Sequence, residues 1–444
     1  MSNIRVFVDF GSTFTKAVAF DIEKLELLGR VQVPSTVETD VTEGLKAALH
    51  ELGKLAPVGE EEIKNTIACS SAAGGLRLAV IGLVPDYTTK AGHLAALGAG
   101  AKVVGQFSFE MSRSETRRLN DLAPDIVLLT GGTDGGNKKT IIHNANVLAN
   151  SAVSNIIVAG NKSARDDIED AFDGTGKNVY YADNVMPEFG RLELDSVNER
   201  VREVFLARIM DAKGISRAAG IIGRIAMPTP AAVMEAVHLI ADGTRHTPGL
   251  GELLVVDVGG ATTDVYSAAS GVSEGLKLIG IKEPYMKRSV EGDLGLFHNL
   301  DTLAELAEEN TGLEELLKRR SVPSGDESVM LHERLTKMAV NTAVSRHVGR
   351  LESIMTGDGP VWVQRGKDLR KVKLVIGAGG PVVFARNHLG VLMGATGDGK
   401  DGVLMPKEPK FALDHRYILF AVGLLSLEEP EKALSIAKKY IMHI

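Results

Sequence analysis

The chain has 444 residues, of which 44% are hydrophobic, 24% charged and 5% aromatic, with 48 glycines and a net charge of −7. That length outgrows one hydrophobic core and predicts two lobes, and the acidic balance without any block of lysine or arginine argues against nucleic acid or an anionic membrane as main partner. The single Cys69 excludes an internal disulfide, a thiolate zinc cluster or an iron–sulfur centre within one chain, and with neither a spanning apolar run nor a signal-peptide pattern the expected compartment is the cytoplasm.

In chain order, VFVDFGSTFTKAVAF (6–20) reads as an apolar strand, an Asp9-x-Gly11 turn with Ser12 and Thr13, and a second strand carrying Lys16. LELLGRVQVPS predicts a third strand, and Thr42–Leu55 has helical spacing. The stretch 65–85 predicts two strands around a small-residue turn; Ser70, Ser71, Gly74 and Gly75 there read as a packed turn rather than the lining of a cleft. An Ala-rich helix spans Thr88–Gly100. The strand DIVLLT (125–130) runs into GGTDGGN (131–137), which lacks the Gly-Lys-Ser/Thr end of a P-loop. Asp134 in that loop is either a polar contact or a helix-capping residue. Alternating strands and helices over 125–184 predict a parallel α/β insert. A charged helix follows at 192–213. AMPTPAAVMEAVHLIADG (226–243) reads as a helix with prolines at its start, and the turn-type run Arg245–Gly249 marks the lobe boundary.

LLVVDVGGATTDVY (253–266) then repeats the opening plan. A shift of 248 positions lays Asp9 on Asp257, Gly11 on Gly259 and Thr15 on Thr263, while Lys16 meets a second acid, Asp264. One such hairpin would be an ordinary glycine turn; two predict related lobes that face one ligand. Residues 282–299 read as a charged loop around Glu291 and Asp293. Asp301–Lys318 and Glu327–Leu351 are helical by period, and Asn341, Arg346 and His347 are assigned to a solvated face. A strand from Lys373 ends in Gly377-x-Gly379-Gly380, short of a dinucleotide fingerprint. Residues 392–410 read as loop, 417–427 as an apolar element, and Pro430–Met442 as a final helix.

A glycine turn lets backbone amides close on phosphate, and neighbouring hydroxyls add donors. Three such turns, two with an aspartate, suit ATP or ADP with Mg²⁺ clamped between lobes. Asp9 and Asp257 repel each other unless they share a hard cation through water, so they are the candidate metal ligands. With Lys16, a point charge for the terminal phosphates, they are also the candidate catalytic groups. The candidate nucleotide contacts are Gly11, Ser12, Thr13, Gly259, Gly260, Thr262 and Thr263 on phosphate, and Gly377, Gly379 and Gly380 on adenosine.

The order DFGSTFTK, DVGGATTDV, IGAGGPV, FAVGLL resembles the phosphate-one, phosphate-two, adenosine and second-connect motifs of the actin, sugar kinase and heat-shock ATPase superfamily. ACSSAAGGLRLAVIGLVP, LLTGGTDGGN and KRSVEGDLG resemble the GlmL/MutL family of reactivating factors for adenosylcobalamin-dependent mutases. The resemblance implies an α/β protein with a two-lobed actin-like ATPase fold of duplicated ribonuclease H-like domains. The first lobe would cover 1–245, with an α/β insert at about 70–190. The second would cover 246–444, its final helix packing back on the first lobe. It implies a slow ATPase whose nucleotide-driven lobe motion releases inactivated cobalamin from a client such as glutamate mutase. A small accessory subunit and a homodimer are also expected. The heat-shock proteins carry a glutamate beside the PTPAA-like segment; here Met227, Pro228 and Thr229 stand there, which puts fast hydrolysis in doubt. The rival reading is a small-molecule kinase with Asp134 or Asp293 as general base.

Overall fold

The computed structural model describes residues 3–37, 39–71, 76–209, 215–297 and 325–444. The chain divides into two units, Met1–Val233 with Gly280–Lys282, and Met234–Ile279 with Glu283–Ile444.

The strands of the first unit are β1 (Ile4–Phe10), β2 (Phe14–Asp21), β3 (Glu26–Pro34), β4 (Ile67–Ser70), β5 (Arg77–Gly82), β6 (Lys102–Ser108), β7 (Ile126–Leu129), β8 (Asn155–Val158), β9 (Asn178–Tyr181) and β10 (Arg224–Pro228). One sheet runs β10-β4-β1-β2-β3. β1–β2–β3 form an antiparallel meander, and β4 and β10 add in parallel on the far side of β1. Because strand side chains alternate in direction, Val6, Val8 and Phe10 pack into the main core with Ala17, Ala19, Leu45 and Leu52, while Phe7 and Phe20 fill the opposite face. Asp40 caps the helix Val41–Gly53 that covers this core, accepting from Thr42 N at 2.9 Å.

The insert is a second sheet, β6-β5-β7-β8-β9, parallel throughout. Its strands are apolar on both faces, as a parallel sheet covered by helices requires: Leu78, Val80, Ile126 and Leu128 join the main core, while Ala79, Ile81, Val127 and Leu129 build a separate one with Ile141 and Leu148. The strand β6 and the helix Arg113–Leu122 add to the elements expected from sequence.

The second unit contains β11 (Leu253–Val258), β12 (Thr263–Ala268), β13 (Lys277–Ile279), β14 (Met286–Glu291), β15 (Arg350–Thr356), β16 (Gly359–Arg365), β17 (Leu374–Ala378), β18 (Lys410–Leu413) and β19 (Met442–His443). Its main sheet, β14-β12-β11-β17-β18-β19, repeats the first unit's scheme: an antiparallel meander, then two parallel strands beside the first one. Two sheets with this order and polarity make the fold a duplicated ribonuclease H-like, actin-type architecture. The helix Asp326–His347 buries Leu335, Ala339, Ala343 and Val344 against β11 residues Leu254 and Val256. The final helix, Pro430–Tyr440, packs on the helix Leu419–Ser426 within the second unit. β13, β16 and β15 form a small separate sheet.

Several local expectations need correction. Residues 224–228 are a strand, and the helix begins only at Thr229. Residues 286–291, read as a charged loop, are β14, and Lys410, read as the last residue of a loop, begins β18. The helix read to Leu351 ends at His347, and β15 starts at Arg350. The expected helix 301–318 and the glycines Gly74 and Gly75 lie outside the described residues.

Candidate functional site

In the first unit the β1–β2 register sets Asp9 directly opposite Lys16. The Lys16 Nζ donates to Asp9 Oδ2 at 3.1 Å, and the Thr229 hydroxyl donates to Asp9 Oδ1 at 2.6 Å. The Cys69 thiol lies 3.7 Å from Oδ1. Asp9 is 1% exposed, so a carboxylate buried this far survives only because donors surround it. Burial first, then the neighbouring Asp9 charge, pushes the Cys69 thiol well above its usual pKa. The turn between the strands closes when Gly11 N donates to Phe14 O at 3.1 Å, and a Cβ at Gly11 would fall 2.6 Å from that oxygen. Ser12 and Thr13 are exposed on the turn, and Ser35 braces it, its hydroxyl donating to Gly11 O at 2.7 Å.

In the second unit two glycine turns meet at Asp257. The parallel pairing of β11 with β17 places Asp257 beside Ala378, one residue before Gly379. Gly379 has φ +85, and a Cβ there would lie 2.0 Å from Val258 O and 2.7 Å from Asp257 Oδ1, so only glycine fits this close approach. The other turn closes through Gly259 N donating to Thr262 O at 2.8 Å, and Gly260 O accepts from Phe297 N at 2.8 Å. The Thr263 hydroxyl donates to Leu294 O at 2.8 Å and holds the 292–297 segment over the turn; that hydroxyl is structural. Thr262 donates to Asp264 Oδ2 at 3.0 Å.

Asp264 stands directly across the ladder from Asp257. Two carboxylates so placed repel, and the compensating cation is Arg288 on β14. Its Nη2 and Nε donate to Asp264 Oδ1 at 2.6 and 2.9 Å. Burial disfavours the Arg288 charge, but Asp264 and Tyr266 more than offset this and raise its pKa. Sequence reasoning misses Arg288 because it places the residue in a loop; the available signal is a cation flanked by alternating residues in KRSVE.

Of the remaining candidates, Asp134 lies in the insert and Asp293 on the 292–297 segment over the turn. Asp134 Oδ1 accepts from Lys162 N at 3.1 Å and Asn184 Nδ2 at 2.9 Å, tying the GGTDGGN loop to the ends of β8 and β9. Asp293 and Glu291 both receive Arg346 Nη1, at 2.9 and 2.7 Å. Asn341 and Arg346 are exposed, as expected, but His347 is fully buried. Its ring bridges Ser289 and Ser267, each at 2.8 Å. Ser267 also takes Lys367 Nζ at 3.2 Å, and that ammonium donates to the carbonyls of Pro284 and Tyr285 at 3.0 and 2.6 Å. Beside it, Lys287 pairs with Glu283 at 2.6 Å. Burial, then the Lys287 charge, draws the Lys367 pKa down to about 7. Burial likewise holds His347 well below the usual histidine value. Among the described residues no helix is long and apolar enough to cross a membrane, and no group of three or more His, Cys, Asp or Glu side chains is placed to hold a metal ion.

A family model described as MutL protein matches residues 5–441. A relative described as Protein MutL, from Clostridium tetanomorphum, is 41% identical over 458 residues and is covered to 99%, as is this chain. Among solved structures, nucleotide-free acetone carboxylase aligns with 96% of this chain and 70% of its own, at 12% identity and a TM-score of 0.44. The ethanolamine utilization protein EutJ from Carboxydothermus hydrogenoformans aligns with 97% of this chain and 89% of its own, at 11% identity and a TM-score of 0.30.

Proposed function

Because the chain belongs to the MutL (GlmL-type) protein family, we propose that it is a slow ATPase that reactivates an adenosylcobalamin-dependent mutase. The observation that carries the nucleotide part is the meeting of two glycine turns at Asp257, with Gly379 seated where a Cβ would collide with the Asp257 carboxylate. This cradle fits a magnesium nucleotide. Mg²⁺ would neutralise phosphate charge and present it in a fixed geometry.

On this reading Asp257 in the second unit and Asp9 in the first would each offer a carboxylate to the hydrated cation, and Lys16 would pass from Asp9 to a phosphate oxygen. Ser12, Thr13, Thr262 and the amides around Gly11, Gly259 and Gly260 bind phosphate, while 377–380 carries adenosine. Thr263 contributes through its backbone, since its hydroxyl serves Leu294 O. The Thr229 hydroxyl fixes the Asp9 carboxylate rather than acting as a base. With no acid among Met227, Pro228 and Thr229 to orient water, turnover is slow. When the terminal phosphate leaves, the hydrogen bonds that these hydroxyls and amides make to it are lost. That difference between the ATP and ADP states drives a conformational change, which would loosen inactivated cobalamin in the client. Asp134 and Asp293 are both committed to protein partners, which favours this reading over a small-molecule kinase.

The test incubates the protein, ATP and Mg²⁺ with cyanocobalamin-blocked glutamate mutase and fresh adenosylcobalamin. Recovery of mutase activity that disappears with Asp257→Ala supports the proposal. Intact ATP hydrolysis without recovery of this mutase or of lysine and ornithine aminomutases refutes the client assignment, and phosphorylation of a small metabolite would favour the kinase.

A further inference from the structure

The insert sheet has the order β6-β5-β7-β8-β9, so the chain leaves β5 first to one side and then to the other. In open parallel sheets of this winding, binding surfaces form outside the carboxyl ends of the strands at that switch point. Here the segment 83–89 after β5, which enters a helical turn at Pro85, is flanked by two exposed aromatics. Phe109, after β6, is 57% exposed; Phe189, after β9, is 74% exposed and packs on Tyr87 with ring centroids 4.8 Å apart.

Phe109 is held out against its backbone preference. Its φ is +67, in the left-handed region that a bulky residue rarely enters. The fully buried Asn144 uses both ends of its amide to keep it there: Nδ2 donates to Phe109 O and Oδ1 accepts from Met111 N, each at 2.9 Å. Phe109 N also donates to Leu83 O at 3.2 Å, joining the two loops. The charges on the three loops are chiefly acidic. Asp86, Glu110 and Glu188 are exposed, and Arg191 is shared between Glu188 and Glu193. Aromatic anchors inside a ring of like charge are the composition of an interface hot spot aimed at an oppositely charged protein.

We infer that this rim, with Phe109 and Phe189 as anchors and Asp86, Glu110 and Glu188 around them, is the surface that grips the client enzyme, through apolar sockets bordered by lysine or arginine. The inference rests on the proposed function. None of these residues belongs to the turns assigned to nucleotide, and the rim lies at the carboxyl end of β5, roughly 20 Å along a six-residue strand from Arg77, so its variants leave nucleotide binding intact.

The test measures binding of the full chain to immobilised glutamate mutase at low and moderate salt, using Phe109→Gly, Phe189→Ala and the pair Asp86→Lys with Glu110→Lys. Glycine relieves the positive φ, so Phe109→Gly keeps or raises the thermal midpoint, while its affinity falls roughly tenfold or more. The charge reversals weaken binding and flatten its salt dependence. Wild-type binding that all these variants retain overturns the docking surface and leaves the reactivase reading standing. A wild type that binds and reactivates none of the three mutases removes both. A wild-type dimer that Phe109→Gly dissociates would assign the rim to a second copy instead and overturn the proposal.

Discussion

Lys367 offers the most quantitative check on the second unit. It is 1% exposed and its pKa falls from 10.5 to about 7. The unfolded chain therefore binds a proton that the folded chain lacks between those values, and stability must rise with pH across that interval. At roughly 1.4 kcal/mol per pH unit, burying the charged amine costs at most about 5 kcal/mol at low pH, and about 2 kcal/mol of that is regained between pH 7 and 8.5. That window excludes the other buried titrators. His347, neutral well below its usual value, has finished its own rise by pH 7, and the depressed acidity of Cys69 acts with opposite sign only near and above pH 9. Replacing Lys367 with methionine removes the charge but strands the carbonyl of Pro284, at about 1–3 kcal/mol, while Tyr285 O keeps its bond from Ala269 N, so the absolute level is not diagnostic; the slope is. Urea unfolding followed by far-UV circular dichroism at pH 7, 7.5, 8 and 8.5 should show an upward slope in the wild type and none from this group in Lys367→Met. Identical slopes, or wild-type stability that falls over the window, would refute the assignment of a nearly neutral buried amine held by two carbonyls and Ser267.

Other expectations are simpler to score. Gly379→Ala forces a Cβ against Val258 O and Asp257 Oδ1 and should abolish detectable ADP binding by calorimetry, with Asp257→Ala removing the magnesium dependence of whatever binding remains. Thr229→Val deletes the 2.6 Å donor to Asp9 and should cost about 1.5–3 kcal/mol in denaturant unfolding, which Thr229→Ser restores. Arg288→Met leaves the half-buried Asp264 opposite Asp257 without its cation and should cost up to about 3 kcal/mol. Cys69, buried and with a raised pKa, should react with a thiol reagent only after the protein is unfolded.

The parts legible in the sequence are those whose physics is local. A strand, an Asp-x-Gly turn and a returning strand announce themselves within fifteen residues, and so both hairpins follow from the local pattern, while the bond between Asp9 and Lys16, which the sequence assigns to a phosphate, emerges only from the register. The helix Val41–Gly53 and the core of Asp326–His347 show their period in the same way. What escapes is stabilised from a distance. β14 reads as a loop because its charges are intelligible only once Asp264, 24 residues earlier, is seen to receive Arg288. β10 reads as the start of a helix because its pairing with β4 reaches back more than 150 residues, and no short-range pattern reports a parallel partner so remote. His347 belongs by default on a solvated face, as a histidine at the end of a charged helix; Ser267 and Ser289, on two other strands, compensate its burial by hydrogen bonding both ring nitrogens. The same distinction separates the two halves of the candidate site. The glycines and acids that would touch a nucleotide are written in short motifs, whereas Thr229, which bonds Asp9, and Arg288, which bonds Asp264 across the ladder from Asp257, are set by neighbours that only the folded sheets bring together. Substitutions at the motif residues should therefore act on ligand affinity, and substitutions at their remote partners on stability and affinity at once.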